Sequence, residues 1–293
     1  MYHGVAAPGC QTQSIRHVGT DVFDRHLSLF TAHFNVVPLE ALFAGATDPH
    51  RLTVALTFDD GLRNNLTHAL PLLEKHHVPA TMFITGANAC SLRILWGDLL
   101  DLAGRHTDRT LAIDGKEFRR NGNGRYALGG TGLLLREHIK QRGEFAPKQE
   151  LYDQLDDLVD GALQEDRIFW ELLDDDEIRQ LGDHPMIELG AHGWLHNDMG
   201  RIAIDDAREE LVKAKAYLEE LAGTIVRSLA WPDGSYTRAG IDMAAGLGFT
   251  RQLAVDFLHP EDRHDDRIVD RYGVYDFPVH PRFLRHLIAR GAQ

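Results

Sequence analysis

Leu52-Thr53-Val54-Ala55-Leu56-Thr57-Phe58-Asp59-Asp60-Gly61 is an apolar and β-branched run that stops on two carboxylates and a glycine. Its length and composition are those of a buried strand. The same kind of run recurs at 79–85, 186–191, 228–231 and 249–255. Helical spacing lies between these runs. Leu66, Leu70 and Leu73 mark one helix face, with Pro71 inside the helix, and Ala207, Leu211, Ala214, Leu218 and Leu221 mark another. Asp205 is expected to cap the second helix and Gly223 to end it. Strands alternating with helices predict an α/β protein with a mainly parallel sheet.

Residues 87–183 break this rhythm. A βα connection usually takes about 2–6 residues, so this stretch must be an insertion with its own helices, set within a single domain spanning 1–293. Asn121-Gly122-Asn123-Gly124 and Gly129-Gly130 are turns inside it. Thirteen acids and two arginines fall between Glu150 and Asp183. There Leu151, Leu155, Leu158 and Ala162 alternate at helical spacing with Asp153, Asp156, Asp157 and Asp160, which predicts an amphipathic helix with a solvated acidic face.

The whole chain carries 31 Lys and Arg against 44 Asp and Glu, a formal charge of −13. No basic face for nucleic acid is expected from that balance. No run approaches the roughly 18 apolar residues of a membrane span, and the first residues lack a signal core, so a cytoplasmic protein without an integral membrane segment is expected. Two cysteines, Cys10 and Cys90, make neither a disulfide framework nor a thiolate metal site.

Two clusters carry chemistry because each directly follows a predicted strand. The first is Asp59-Asp60-Gly61 and the second is His192-Gly193-Trp194-Leu195-His196. In a parallel α/β barrel the strand ends converge on one face, so both clusters line one pocket. Imidazoles four apart suit a single cation, and zinc takes nitrogen and carboxylate ligands, with three protein ligands in its catalytic sites. One of Asp59 and Asp60 completes the ligand set, and the other is free to take a proton from water. Trp96, Trp170, Trp194 and Trp231 can stack on sugar rings, although burial in a core is the commoner role of such residues; Trp194 and Trp231, which sit beside these clusters, are the two expected in the pocket.

On these residues the sequence resembles the polysaccharide deacetylases of carbohydrate esterase family 4, the NodB-homology domain. Thr57-Phe58-Asp59-Asp60-Gly61 matches the first motif of that family, and His192 with His196 matches the second. Met1-Tyr2-His3-Gly4-Val5, Ala69-Leu70-Pro71-Leu72-Leu73, Val78-Pro79-Ala80-Thr81, residues 187–192 and Ala230-Trp231-Pro232-Asp233-Gly234 are similar to the exopolysaccharide-type branch. The resemblance implies a distorted (β/α)7 barrel that removes an N-acetyl group from an amino sugar or glycan precursor. It assigns the base to Asp59, the ligands to Asp60, His192 and His196, and the metal to zinc or another divalent cation. It also implies that Asp233 offers its backbone N–H to the oxyanion.

Two positions depart from the family. Gly193 stands where Ser or Thr is usual, so a supporting hydrogen bond is missing. Ala230 stands where many members carry an Arg beside the base. Arg271 is the candidate substitute, because a carboxylate base needs a charge partner to stay ionised. For the general acid the branch points to His3, ahead of His259, His264 and His280. Two further readings stand beside this one: another amide hydrolase on the same scaffold, acting on a cyclic or ureido amide, and an inactive glycan-binding protein.

Overall fold

The computed structural model describes residues 1–9, 14–161 and 167–274; Cys10 and His280 lie outside them. Six strands form one sheet in chain order: β1 (Leu56–Phe58), β2 (Ala80–Ile84), β3 (Ile187–Ala191), β4 (Ser228–Ala230), β5 (Arg251–Leu253) and β6 (Ile268–Val269). All neighbours run parallel. The register is nearly flush at the carboxyl ends, with Ile84 opposite Ala191, Ala191 opposite Leu229, and Leu253 opposite Val269. Residues following these strands therefore emerge together.

The N-terminal segment closes the curled sheet. Tyr2 bridges Phe58 in parallel, its N–H donating to the Thr57 carbonyl at 2.8 Å and its carbonyl accepting from Asp59 N–H at 3.0 Å. On its other side the Met1 carbonyl accepts from Val274 N–H at 2.8 Å. Residues 1–3 thus fill a seventh position between β1 and the chain beyond β6, as in a distorted (β/α)7 barrel.

The run at 52–58 divides: Thr53–Val54 pairs with Asn35–Val36, and only Leu56–Phe58 enters the main sheet. β6 has no apolar run to announce it, since charged residues 265–267 and 270–271 flank its two residues. The helix expected around Leu66 is a π turn at Asn65–Ala69 followed by an α-helix at Leu70–His76. Pro71, which has no N–H to bond back into the preceding turn, sits in the first turn of that α-helix, where prolines are tolerated. Helix Ile204–Ala222 buries the expected Ala207, Leu211, Ala214, Leu218 and Leu221, and Gly223 ends it at φ 64°. Asp205 does not cap it; it lies in the first turn, where its charge complements the helix dipole.

The insertion has a hydrophobic core of its own, built on Trp96, Leu99, Phe118, Tyr126, Leu151, Leu155 and Trp170. It is not purely helical: strands Leu111–Ile113, Lys116–Arg120 and Tyr126–Leu128 form an antiparallel sheet against helices Trp96–His106, Leu135–Arg142 and Ala146–Gly161. Asp153, Asp156, Asp157 and Asp160 are exposed on the last of these, as the amphipathic pattern predicts. Helix Asp175–Gly182, which falls inside the insertion when the sequence alone is read, instead buries Ile178 and Leu181 in the barrel core. Among the described residues no helix is long and apolar enough to cross a membrane.

Candidate functional site

Asp59 and Asp60 leave the end of β1 together but point to different partners. Asp60 and Gly61 both take left-handed backbone conformations, φ 79° and 72°. Aspartate tolerates that region better than most residues, and at Gly61 a Cβ would come within 3.0 Å of Ile84. The resulting turn sends the two neighbouring carboxylates apart.

Asp60 meets the histidine pair. Its Oδ1 lies 3.5 Å from His192 Nε2 and 3.4 Å from His196 Nε2, and one ligand atom from each of the three residues falls within 4.8 Å of the others. His192 Nδ1 lies 2.8 Å from the Ala230 carbonyl, which can only accept. That fixes a proton on Nδ1 and turns Nε2 toward Asp60. All three donors are buried or half-buried. Two imidazoles and a carboxylate converging in this way fit a divalent cation of the zinc type. Burial pushes Asp60 upward, but the two histidines hold its carboxyl well below the usual range.

Asp59 is held by Arg271, which follows β6. The guanidinium is bidentate, Nη1 to Oδ1 at 2.6 Å and Nη2 to Oδ2 at 2.8 Å, and both side chains are buried. Arg271 also donates to Thr57 Oγ1 and to the Ala254 carbonyl, each at 3.3 Å. Burial alone would raise the Asp59 pKa, yet Arg271 and His192 keep it below its ordinary value. The charge partner expected for Asp59 is thus in contact with it.

The loop carrying the histidines has a support that sequence reading did not find. Glu210 Oε2 accepts from Trp194 N–H and Leu195 N–H, both at 2.8 Å, and its Oε1 accepts from Asn197 Nδ2 at 3.1 Å. Gly193 suits this position: its φ is 75°, a conformation strained for a side-chain-bearing residue, and a Cβ would crowd the Met199 methyl at 2.7 Å and Pro232 Cγ at 3.2 Å. Glu210 anchors the loop where a Ser or Thr hydroxyl is missing. The one sequence signal was an acid on the core-facing side of helix Ile204–Ala222, where a charge needs a partner.

The insertion reaches the site three times. Lys148 Nζ donates to the His196 carbonyl and to Asn197 Oδ1, both at 2.7 Å. Lys140 pairs with Asp233 at the end of β4. Asp98 pairs with Arg16, whose other Nη donates to Asp60 Oδ2 at 3.3 Å. Burial pushes Asp98 up to about 6 against the opposing pull of Arg16.

The parallel Tyr2–Phe58 bridge sets His3 beside Asp59. Burial lowers the His3 pKa, and the nearby charges of Asp60 and Asp59 oppose that shift. His259 belongs elsewhere: it caps the turn Pro260–His264 and meets Tyr236 edge-on. His264 is exposed in the same turn. Asp233 adopts φ 53°, with its carboxylate on Lys140.

The expectation for Trp231 requires a correction. Trp231 is 0% exposed, enclosed in the barrel core beside Tyr236, so its ring presents no face to a sugar. Trp96 and Trp170 are core residues of the insertion. Trp194 is half-buried and lies edge-on to Tyr217 over Gly86, where a Cβ would collide with the indole.

The family model described as polysaccharide deacetylase matches residues 46–112 and 128–251. No curated protein sequence matches. Among solved structures, the Streptococcus pyogenes deacetylase PplD in complex with acetate is 16% identical at a TM-score of 0.57, with 98% of this chain and 95% of that chain covered. The de-N-acetylase from Aggregatibacter actinomycetemcomitans is 15% identical at 0.58, covering 97% of each chain. IcaB from Ammonifex degensii is 17% identical at 0.53, with 100% of this chain and 95% of that one covered. At these identities the structural likeness shows the fold, while the sequence model spans most of the chain, including both carboxylates and both histidines. The chain belongs to the polysaccharide deacetylase family.

Proposed function

We propose that this protein is a metal-dependent hydrolase that removes the N-acetyl group of an amino sugar or glycan precursor, with Asp59 as base. The observation that carries the reading is the pairing of an Asp60–His192–His196 donor set with a separate, arginine-held carboxylate on the next residue. Asp60, His192 and His196 are the residues that would hold the cation. A divalent ion bound there supplies Lewis acidity, easing loss of a proton from water and offsetting negative charge on the amide oxygen.

The protein's own groups divide the remaining work. A carboxylate oxygen of Asp59 takes the proton of the attacking water as the new C–O bond forms. Arg271 keeps that carboxylate ionised and fixes its orientation. The backbone N–H of Asp233 donates to the former amide oxygen. His3 gives a proton to the sugar nitrogen as the C–N bond breaks, leaving acetate and a free amine.

Metal content and acetate release from N-acetylglucosamine oligomers test the reading together. Wild type is expected to retain one equivalent of zinc and to release acetate, and the double variant His192→Ala/His196→Ala to do neither. Equal metal in both proteins would remove the basis of the proposal. His3→Ala is expected to keep the metal and lose about 10²-fold or more in turnover, the usual contribution of a general acid; turnover equal to wild type would take that role from His3.

A further inference from the structure

The largest unassigned part of the molecule is the insertion, and its clearest link to the site is a buried lysine. Lys148 is 2% exposed. Both of its hydrogen bonds go to neutral oxygens, the backbone carbonyl of His196 and the side-chain amide of Asn197. The ammonium also lies 5.7 Å from the centroid of the Trp96 ring, another insertion residue. Removing a charge from water is costly unless its contacts recover the loss. A methionine would fill the same space without that cost, so packing alone does not explain a lysine here.

What the ammonium touches does explain it. His196 has φ 51°, a left-handed conformation that is uncommon for a non-glycine residue and is steadied where its surroundings hold the backbone. Lys148 binds the carbonyl of that same residue. It also binds Asn197, which in turn donates to Glu210, so insertion, histidine loop and barrel helix are joined through one chain of hydrogen bonds.

We infer that Lys148 is a positioning residue of the metal centre: it holds the His196 backbone in the conformation that brings the imidazole to Asp60 and His192. The insertion thereby acts on cation binding. This rests on the metallohydrolase reading above, and the two can fail separately.

Zinc affinity is measured by competition with a chromophoric chelator for wild type, Lys148→Met, Lys148→Gln and Leu155→Ala, alongside the melting temperature of each metal-free protein and the visible spectrum of its cobalt-loaded form. Leu155 lies in the insertion core, seven residues beyond Lys148 on the same helix, and controls for general loosening. Lys148→Met is expected to bind zinc about 10–100-fold more weakly, the usual cost of losing an outer support of a ligand. Its cobalt bands are expected to shift, with no matching fall in metal-free melting temperature. Lys148→Gln, which keeps a donor, is expected to recover part of the affinity and also serves if the Met variant does not fold. Unchanged affinity and spectrum would overturn the inference, as would an equal loss of affinity in Leu155→Ala. Failure of wild type to bind zinc would overturn the metallohydrolase reading and this inference with it.

Discussion

Replacing Asp59 by asparagine is expected to lower kcat for acetate release by about 10²–10⁴-fold, the range general-base catalysis contributes, while leaving the bound metal in place. Asparagine keeps the shape of the side chain but cannot accept a proton from water. The metal is expected to stay because the donor set is Asp60, His192 and His196, and Asp59 turns away from it toward Arg271. The Asp59→Asn protein is also expected to melt at a lower temperature, because the buried Arg271 charge loses its counter-charge. Circular dichroism on the same sample separates loss of fold from loss of chemistry. Turnover within a few-fold of wild type, in a folded and metal-loaded variant, would remove Asp59 from the role of base.

The second large effect is expected at Arg271. Arg271→Met removes both hydrogen bonds to the Asp59 carboxylate and leaves a buried anion without its partner, a change that costs about 3–5 kcal/mol in comparable pairs. Because the guanidinium favours the ionised form, its loss raises the Asp59 pKa. The acid limb of kcat/KM against pH is therefore expected to move upward, with activity lost first on the acid side. Stability follows the same sign. In wild type the folded-state pKa of Asp59 is depressed, so the pair contributes above the unfolded value of about 4 and its contribution disappears only as pH falls through the lower folded value. In Arg271→Met that contribution is absent, and the difference between the two proteins in urea unfolding is expected to be large at pH 7 and to shrink in acid. Arg271→Lys, with a charge but no fork, is expected to lie between them. A pH–rate profile identical to wild type would show that Asp59 does not depend on this partner.

The residues around these two positions show why some of the molecule can be read from sequence and some cannot. β1 to β5 announce themselves by apolar runs, and both motifs are visible because each abuts one of those runs. Arg271 could be proposed only through the family resemblance: Ala230 stands where many members carry an arginine, and a carboxylate base still needs a cation beside it. Lys148, Arg16 and Asp98 had no such signal. Their partners lie 48, 44 and 82 positions away in sequence, and no local periodicity encodes a contact of that span. Trp231 misled for a related reason: nearness to a motif in sequence does not say which side of the sheet a ring faces, and this one faces the core. β6 was hidden because two residues among charges are too short to carry a pattern.

Closure of the ring by residues 1–3 has a kinetic consequence. His3 stands beside Asp59 only when the first residues have settled between β1 and Val274, a contact spanning nearly the whole sequence. Contacts of such separation form late, after the local helices and the sequential strand pairs have already closed their shorter loops. The same late event brings Arg271, just before Val274, to Asp59. A refolding chain is expected to regain most of its secondary structure before Asp59 and His3, proposed above as base and acid, come together.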